Sequence, residues 1–151
     1  MRHHRISDRR VLGALAAFAM MPAMSASAQR RPPEPTPRVM VATFASSDKE
    51  LGLQAAEALR ARIGRDADAR RLVVIPRADI NNTLTASGYS TTESLAPNDA
   101  RALAVLLRAD EYIEGTATRT PTGVKVETRM ILSRDQTLQQ PLAVAEAANL
   151  G

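Results

Sequence analysis

The passage NDARALAVLLRADEYIEG, Asn98 to Gly115, restricts the fold more than any other part of this sequence. Ala102, Val105, Leu106 and Ala109 recur at helical spacing, which predicts a helix over Asn98 to Ala109 with that stripe turned inward. An Arg-Ala-Asp turn follows, and a strand opens at Tyr112-Ile113. A helix that passes into a strand through so short a turn has to lie on the sheet the strand joins, so the passage is an αβ unit.

The segments on either side extend that unit. Val39 to Phe44 is short and apolar on both faces, as a strand covered on both sides should be. Ser47 and Glu50 have capping-box spacing ahead of the stripe Leu51, Ala55, Ala58, Leu59 and Ile63, and Gly64 is placed to end that helix. Leu72 to Ile75 predicts a second buried strand stopped by Pro76, then a shorter helix from Arg77 with Gly88 at its C-terminal cap. Glu111 to Arg119 and Val124 to Leu132 flank the turn Thr120-Pro121-Thr122-Gly123. In the second of these, Val124, Val126, Thr128, Met130 and Leu132 alternate with Lys125, Glu127 and Arg129, so one face is expected to be open and the strand to lie near a sheet edge. The predicted order is β-α-β-α-α-β-β, an α/β fold with a three-layer mixed sheet and a C-terminal antiparallel hairpin.

The N-terminus reads as a targeting segment. Arg2, Arg5, Arg9 and Arg10 precede the apolar run Val11 to Met21, and Ala26 and Ala28 stand two apart before a cut site. A positive head, a short apolar middle and small residues make a secretory signal peptide over 1–28. The run is about half of the roughly 20 residues a membrane span needs, so a retained N-terminal anchor is the second reading. Export to the periplasm follows, with secretion or anchoring as alternatives and no membrane span after cleavage. Residues 29–38, with Pro at 32, 33, 35 and 37, form an extended linker. The domain is expected over 39–135, and 136–151 is set apart as a C-terminal extension in which Gln136 to Val144 has strand character.

The formal net charge of +4 is mostly that of the targeting segment, since four arginines against Asp8 supply +3 within residues 1–28. What remains is close to neutral, which gives no electrostatic footprint for nucleic acid. The sequence has no cysteine, and both histidines, His3 and His4, lie in the signal segment. A lipid anchor on cysteine, a thiol or Ser-His nucleophile and a zinc site of the usual N/S type are thereby excluded from the exported chain, and no metal or cofactor is expected. Asp110, Glu111 and Glu114 cluster at a strand entrance, but Glu111 and Glu114 point to opposite faces of a strand, which suits a solvated entrance better than an acid/base pair. Two places remain as contact sites. In sheets with parallel strands, ligands sit beyond the strands' carboxyl ends, where Arg77, Asp79, Asn81 and Asn82 fall. The charged face of Lys125, Glu127 and Arg129 offers a docking surface on an exposed strand.

A strand ending in Phe44, a capped Leu/Ala helix, LVVIPRADI, the Leu107–Gly115 helix-to-strand passage and PTGVKVETRMIL come in an order that resembles a known pattern. It is similar to the N-terminal domain of TolB and the related periplasmic α/β domains of the CsgG, FlgO and LpoB group. The resemblance covers Val39 to Leu132, and this chain has Thr43-Phe44 where the pattern usually has Pro-Phe. It implies a non-catalytic domain that docks onto envelope or periplasmic proteins, or stands ahead of tetratricopeptide repeats in a longer chain. A small-ligand sensor working through Arg77–Asn82 is the alternative.

Overall fold

A computed structural model describes residues 34–148; the signal segment, its Ala26 and Ala28, and the linker up to residue 33 lie outside the described residues. Among the described residues nine elements follow one another: β1 (Arg38–Val41), α1 (Lys49–Asp66), β2 (Val73–Val74), α2 (Arg77–Ala86), α3 (Pro97–Leu106), β3 (Glu111–Thr120), β4 (Gly123–Leu132), β5 (Asp135–Pro141) and β6 (Ala145–Ala147). They make one mixed sheet in the order β2-β1-β3-β4-β5, with β6 also on β4. β1 runs parallel to β2 and β3, while β3, β4 and β5 are antiparallel in turn.

The three-layer expectation holds, and β1 shows why. Its successive side chains point to opposite faces. Val39 and Val41 join Ile113, Ala117 and Val124 under Leu51, Ala55 and Ala56 of α1. Met40 and Ala42 join Ile75, Tyr112 and Ile131 under α2 and α3, which contribute Ile80, Leu84, Ala100, Leu103 and Ala104. Both faces of β1 are therefore dry, and a continuous apolar run is what such a strand requires.

Several local details depart from the sequence reading. Strand pairing ends at Val41 rather than Phe44, although a bridge between Ala45 and Thr116 resumes it. Helix α1 is capped by Asp48, whose carboxylate accepts from the Leu51 amide at 3.3 Å, with no role for Ser47. Asp48 wins because Arg119 also holds its carboxylate, at 3.0 Å. Gly64 lies inside α1, which runs on to Asp66 under an Arg62–Asp66 pair one turn apart. Helix α3 ends at Leu106, not Ala109, and faces inward with a different stripe. Ala100, Leu103 and Ala104 are buried, whereas Val105 and Leu106 are 56% and 64% exposed. An alanine- and leucine-rich helix offers two overlapping stripes, and its docking onto Met40 and Tyr112 selects between them. Its end is a Schellman-type turn, with the Ala109 amide on the Ala104 carbonyl at 2.8 Å and Arg108 left-handed at φ 54°.

The largest revision concerns β4. It is hydrogen-bonded on one side by β3 and on the other by β5 and β6, so it is an interior strand. The stretch beyond residue 135, set apart by sequence as an extension, supplies the two strands that cover it. Ile131, on the side of Lys125, Glu127 and Arg129, packs under α3, so the alternation marks a face open only along part of its length.

Candidate docking cleft

Beyond Val41 the chain keeps only the Ala45–Thr116 bridge to the sheet, while β3 and β4 continue as a hairpin of two ten-residue strands. The difference in length opens a cleft of about 480 Å³ at the carboxyl end of β1. Ala42, Thr43 and Ala45 form one wall, and Ser94, Leu95, Pro97 and Ala100 form the other. Its floor is Glu114, Gly115 and Thr116 of β3 with Glu127, Thr128 and Arg129 of β4, and Pro141 closes the rim. Small side chains dominate the walls. Gly115 has to be small, because a Cβ there would stand 2.4 Å from the Glu127 carbonyl oxygen.

The charges in the cleft are matched before any partner arrives. Glu114 and Arg129 are directly opposite in the β3–β4 register, and the guanidinium donates to Glu114 Oε1 through Nε at 2.9 Å and Nη2 at 2.6 Å. Lys125 Nζ meets Glu127 Oε1 at 2.8 Å, and that hydrogen bond raises the lysine above its ordinary pKa. On the loop side, Glu93 is held below the usual carboxylate range by the hydrogen bond from Lys49. Tyr89 donates to Asp99 Oδ1 at 2.9 Å, tying the loop to the first turn of α3; that bond pushes the phenol up. Among the described residues no group of three or more acidic or histidine side chains is placed to hold a metal ion. No described helix is long and apolar enough to cross a membrane.

Of the residues singled out by sequence, Glu127 and Arg129 line this cleft and Lys125 supports it through Glu127. Arg77, Asp79, Asn81 and Asn82 do not line it. Arg77 is tied to Glu57 of α1, which Arg60 also holds. Arg60 Nη2 in turn donates to the Val41 carbonyl at 2.6 Å. That carbonyl faces the β2 side, where Ile75 has already turned toward α2, so the guanidinium replaces a missing strand neighbour. Burial pushes Glu57 up, but the hydrogen bonds from Arg60 and Arg77 outweigh it and hold the group below its ordinary value. This knot locks α1, β1 and α2 together, which gives Arg77 a structural role. Of the three clustered carboxylates, Glu114 lines the cleft and Glu111 does not, as their alternation on β3 requires, while Asp110, just ahead of the strand, accepts from the Arg38 amide at 2.8 Å. Sequence reading missed the opposite wall, Ser94, Leu95, Pro97 and Ala100, whose local sequence signals only the proline start of α3 and no binding motif.

No protein-family model matches the sequence, and comparison with curated proteins gives no match. Solved structures do. The C-terminal domain of LpoB from Salmonella enterica superposes with a TM-score of 0.55 at 12% identity, over 76% of this chain and 87% of that one. The chain has the fold of that LpoB domain. The LpoB domain from Escherichia coli agrees, at 0.54 and 12% identity over 74% of this chain and 83% of the other. Lipoprotein GNA1162 from Neisseria meningitidis gives 0.52 at 18% identity, over 73% and 77% respectively. At such identities the likeness to LpoB is one of fold alone.

Proposed function

We propose that the protein is an exported, non-catalytic interaction domain of the cell envelope, which engages a periplasmic protein through the cleft at the carboxyl end of β1. The observation that carries this reading is the cleft's chemistry: small apolar walls over a floor whose carboxylates are already bound to arginine and lysine. An unpaired carboxylate or a free base would be expected of a catalytic site, and neither Glu114 nor Glu127 is unpaired. A shallow cleft with small apolar walls and a charged, self-matched floor suits instead a side chain or short segment of another protein, whose polar contacts on the floor set register while the walls supply affinity. The shared fold with LpoB and the signal segment of the sequence support an envelope location. The same reading includes the case in which the domain is the first module of a longer repeat-containing chain.

A photo-crosslinking residue at Thr116, exposed on the cleft floor, tests it in cells. The expected result is a defined protein adduct in the envelope fraction that is lost with Arg129→Glu and absent when the crosslinker sits at Thr122 in the far turn. Failure to form any protein adduct from Thr116, or thermal stabilisation by a small metabolite abolished by Asn81→Ala with Asn82→Ala, would overturn the reading in favour of a ligand sensor.

A further inference from the structure

The strand register lines up one whole edge of the sheet. Val73 pairs with Arg38, Val39 with Glu111, Glu111 with Leu132, and Leu132 with Asp135. The amino ends of β2, β1 and β3 thus stand beside the end of β4 and the start of β5. With strands about 4.8 Å apart, the row is roughly 19 Å wide. Connections entering this edge carry exposed arginines: Arg70 and Arg71 ahead of β2, Arg108 between α3 and β3, and Arg134 in the β4–β5 turn. None of the four takes part in an ion pair among the described residues.

Three carboxylates of the same edge are turned onto the backbone. Asp68 accepts from the Arg70 amide at 2.9 Å, Asp110 from the Arg38 amide at 2.8 Å, and Asp135 from the Thr137 amide at 3.0 Å. Glu111 is half-buried, and Asp66 is paired with Arg62. At the other end of the sheet the pattern is reversed, with Lys49, Arg119, Lys125 and Arg129 each held by a carboxylate. The last turn of α3, which delivers the chain to this edge, exposes Val105 and Leu106 beside Arg108.

We propose that this edge rests on an anionic phospholipid surface, with Arg70, Arg71, Arg108 and Arg134 on headgroup phosphates and Val105 and Leu106 in the interface. Guanidinium groups match phosphate oxygens in pairs, and exposed apolar side chains among arginines combine the two terms that hold a protein on a charged bilayer. Charge complementarity favours lipid over nucleic acid, because this edge also exposes aliphatic side chains and carries no aromatic stacking platform. The chain enters β1 at the same edge, and the sequence just ahead holds Arg30 and Arg31. In this pose the cleft points away from the lipid. The membrane contact and the cleft lie at opposite ends of the sheet, so either can fail without the other.

The test uses residues Glu34–Gly151, the compact unit that contains both core clusters. Sedimentation is measured with phosphatidylcholine vesicles and with vesicles that also contain phosphatidylglycerol. Binding is expected only to the anionic vesicles, falling as salt shortens the screening length. At about 1 kcal/mol per basic residue near the surface, each arginine removed lowers the partition coefficient roughly five-fold, so Arg108→Gln with Arg134→Gln lowers it roughly 25-fold. Leu106→Ser weakens binding, and Arg119→Gln at the far end leaves it unchanged; circular dichroism confirms that each variant is folded. No binding to either vesicle, equal binding to both, an equal loss with Arg119→Gln, or tighter association with duplex DNA than with anionic vesicles would overturn it.

Discussion

Leu103→Ala and Leu106→Ala form a pair that decides which face of α3 is inside. Leu103 is 5% exposed within the cluster that holds Met40, Ile75, Tyr112 and Ile131. Truncation to alanine removes outer carbons worth about 0.8 kcal/mol each and leaves a cavity, because α3 is pinned by Arg101 on the Ser133 carbonyl and cannot collapse freely into the space. The expected loss is about 3 kcal/mol. For a domain of this size each kcal/mol moves the midpoint by about 4 °C, so Leu103→Ala should melt roughly 12 °C lower. Leu106 is 64% exposed, and its truncation should change stability by less than about 0.5 kcal/mol. Thermal and urea unfolding of the two variants, followed by circular dichroism, gives the comparison. If Leu106→Ala costs as much as Leu103→Ala, the helix presents the Ala102–Val105–Leu106 stripe inward, and the exposed ridge assigned to the membrane face does not exist.

Two glycines of α1 should respond in opposite directions. Gly52→Ala would place a Cβ 2.2 Å from the Phe44 carbonyl oxygen and should lower stability by about 2 kcal/mol, whereas Gly64 has open space around it and Gly64→Ala should raise stability by about 0.5–1 kcal/mol in the same unfolding assay. A loss at Gly64 would mean that the helix stops there. Glu57 is held below its ordinary value, so its ion pairs contribute stability above about pH 4.5 and lose it as the pH falls through the lower folded-state value; Glu57→Gln should flatten that part of a pH–stability profile. Arg108 occupies a left-handed position at φ 54°, so Arg108→Gly should stabilise the fold by about 0.5–1 kcal/mol while weakening vesicle binding, a divergence that a purely structural arginine would not give.

What the sequence determined was the set of layers. A strand such as β1, apolar at consecutive positions Val39, Met40 and Val41, can only be covered on both faces, and the helix-to-strand passage into Tyr112 forces the helix onto the sheet. The absence of thiol and imidazole from residues 29–151 was equally plain, because composition needs no geometry. Arg129 and Glu127 were legible as a charged face, since a period of two survives without tertiary information.

Tertiary structure decided the rest. The phase of α3 was ambiguous because neighbouring alanines and leucines satisfy two helical stripes, and only packing against Tyr112 breaks the tie. That β4 is interior rather than an edge depends on β5 and β6, whose weakly patterned residues are strands because β4 offers them hydrogen bonds. The cleft exists because β1 is shorter than the hairpin beside it, and the arginine edge because five strand ends share one register. Both are relations between segments distant in sequence, and local periodicity does not encode them.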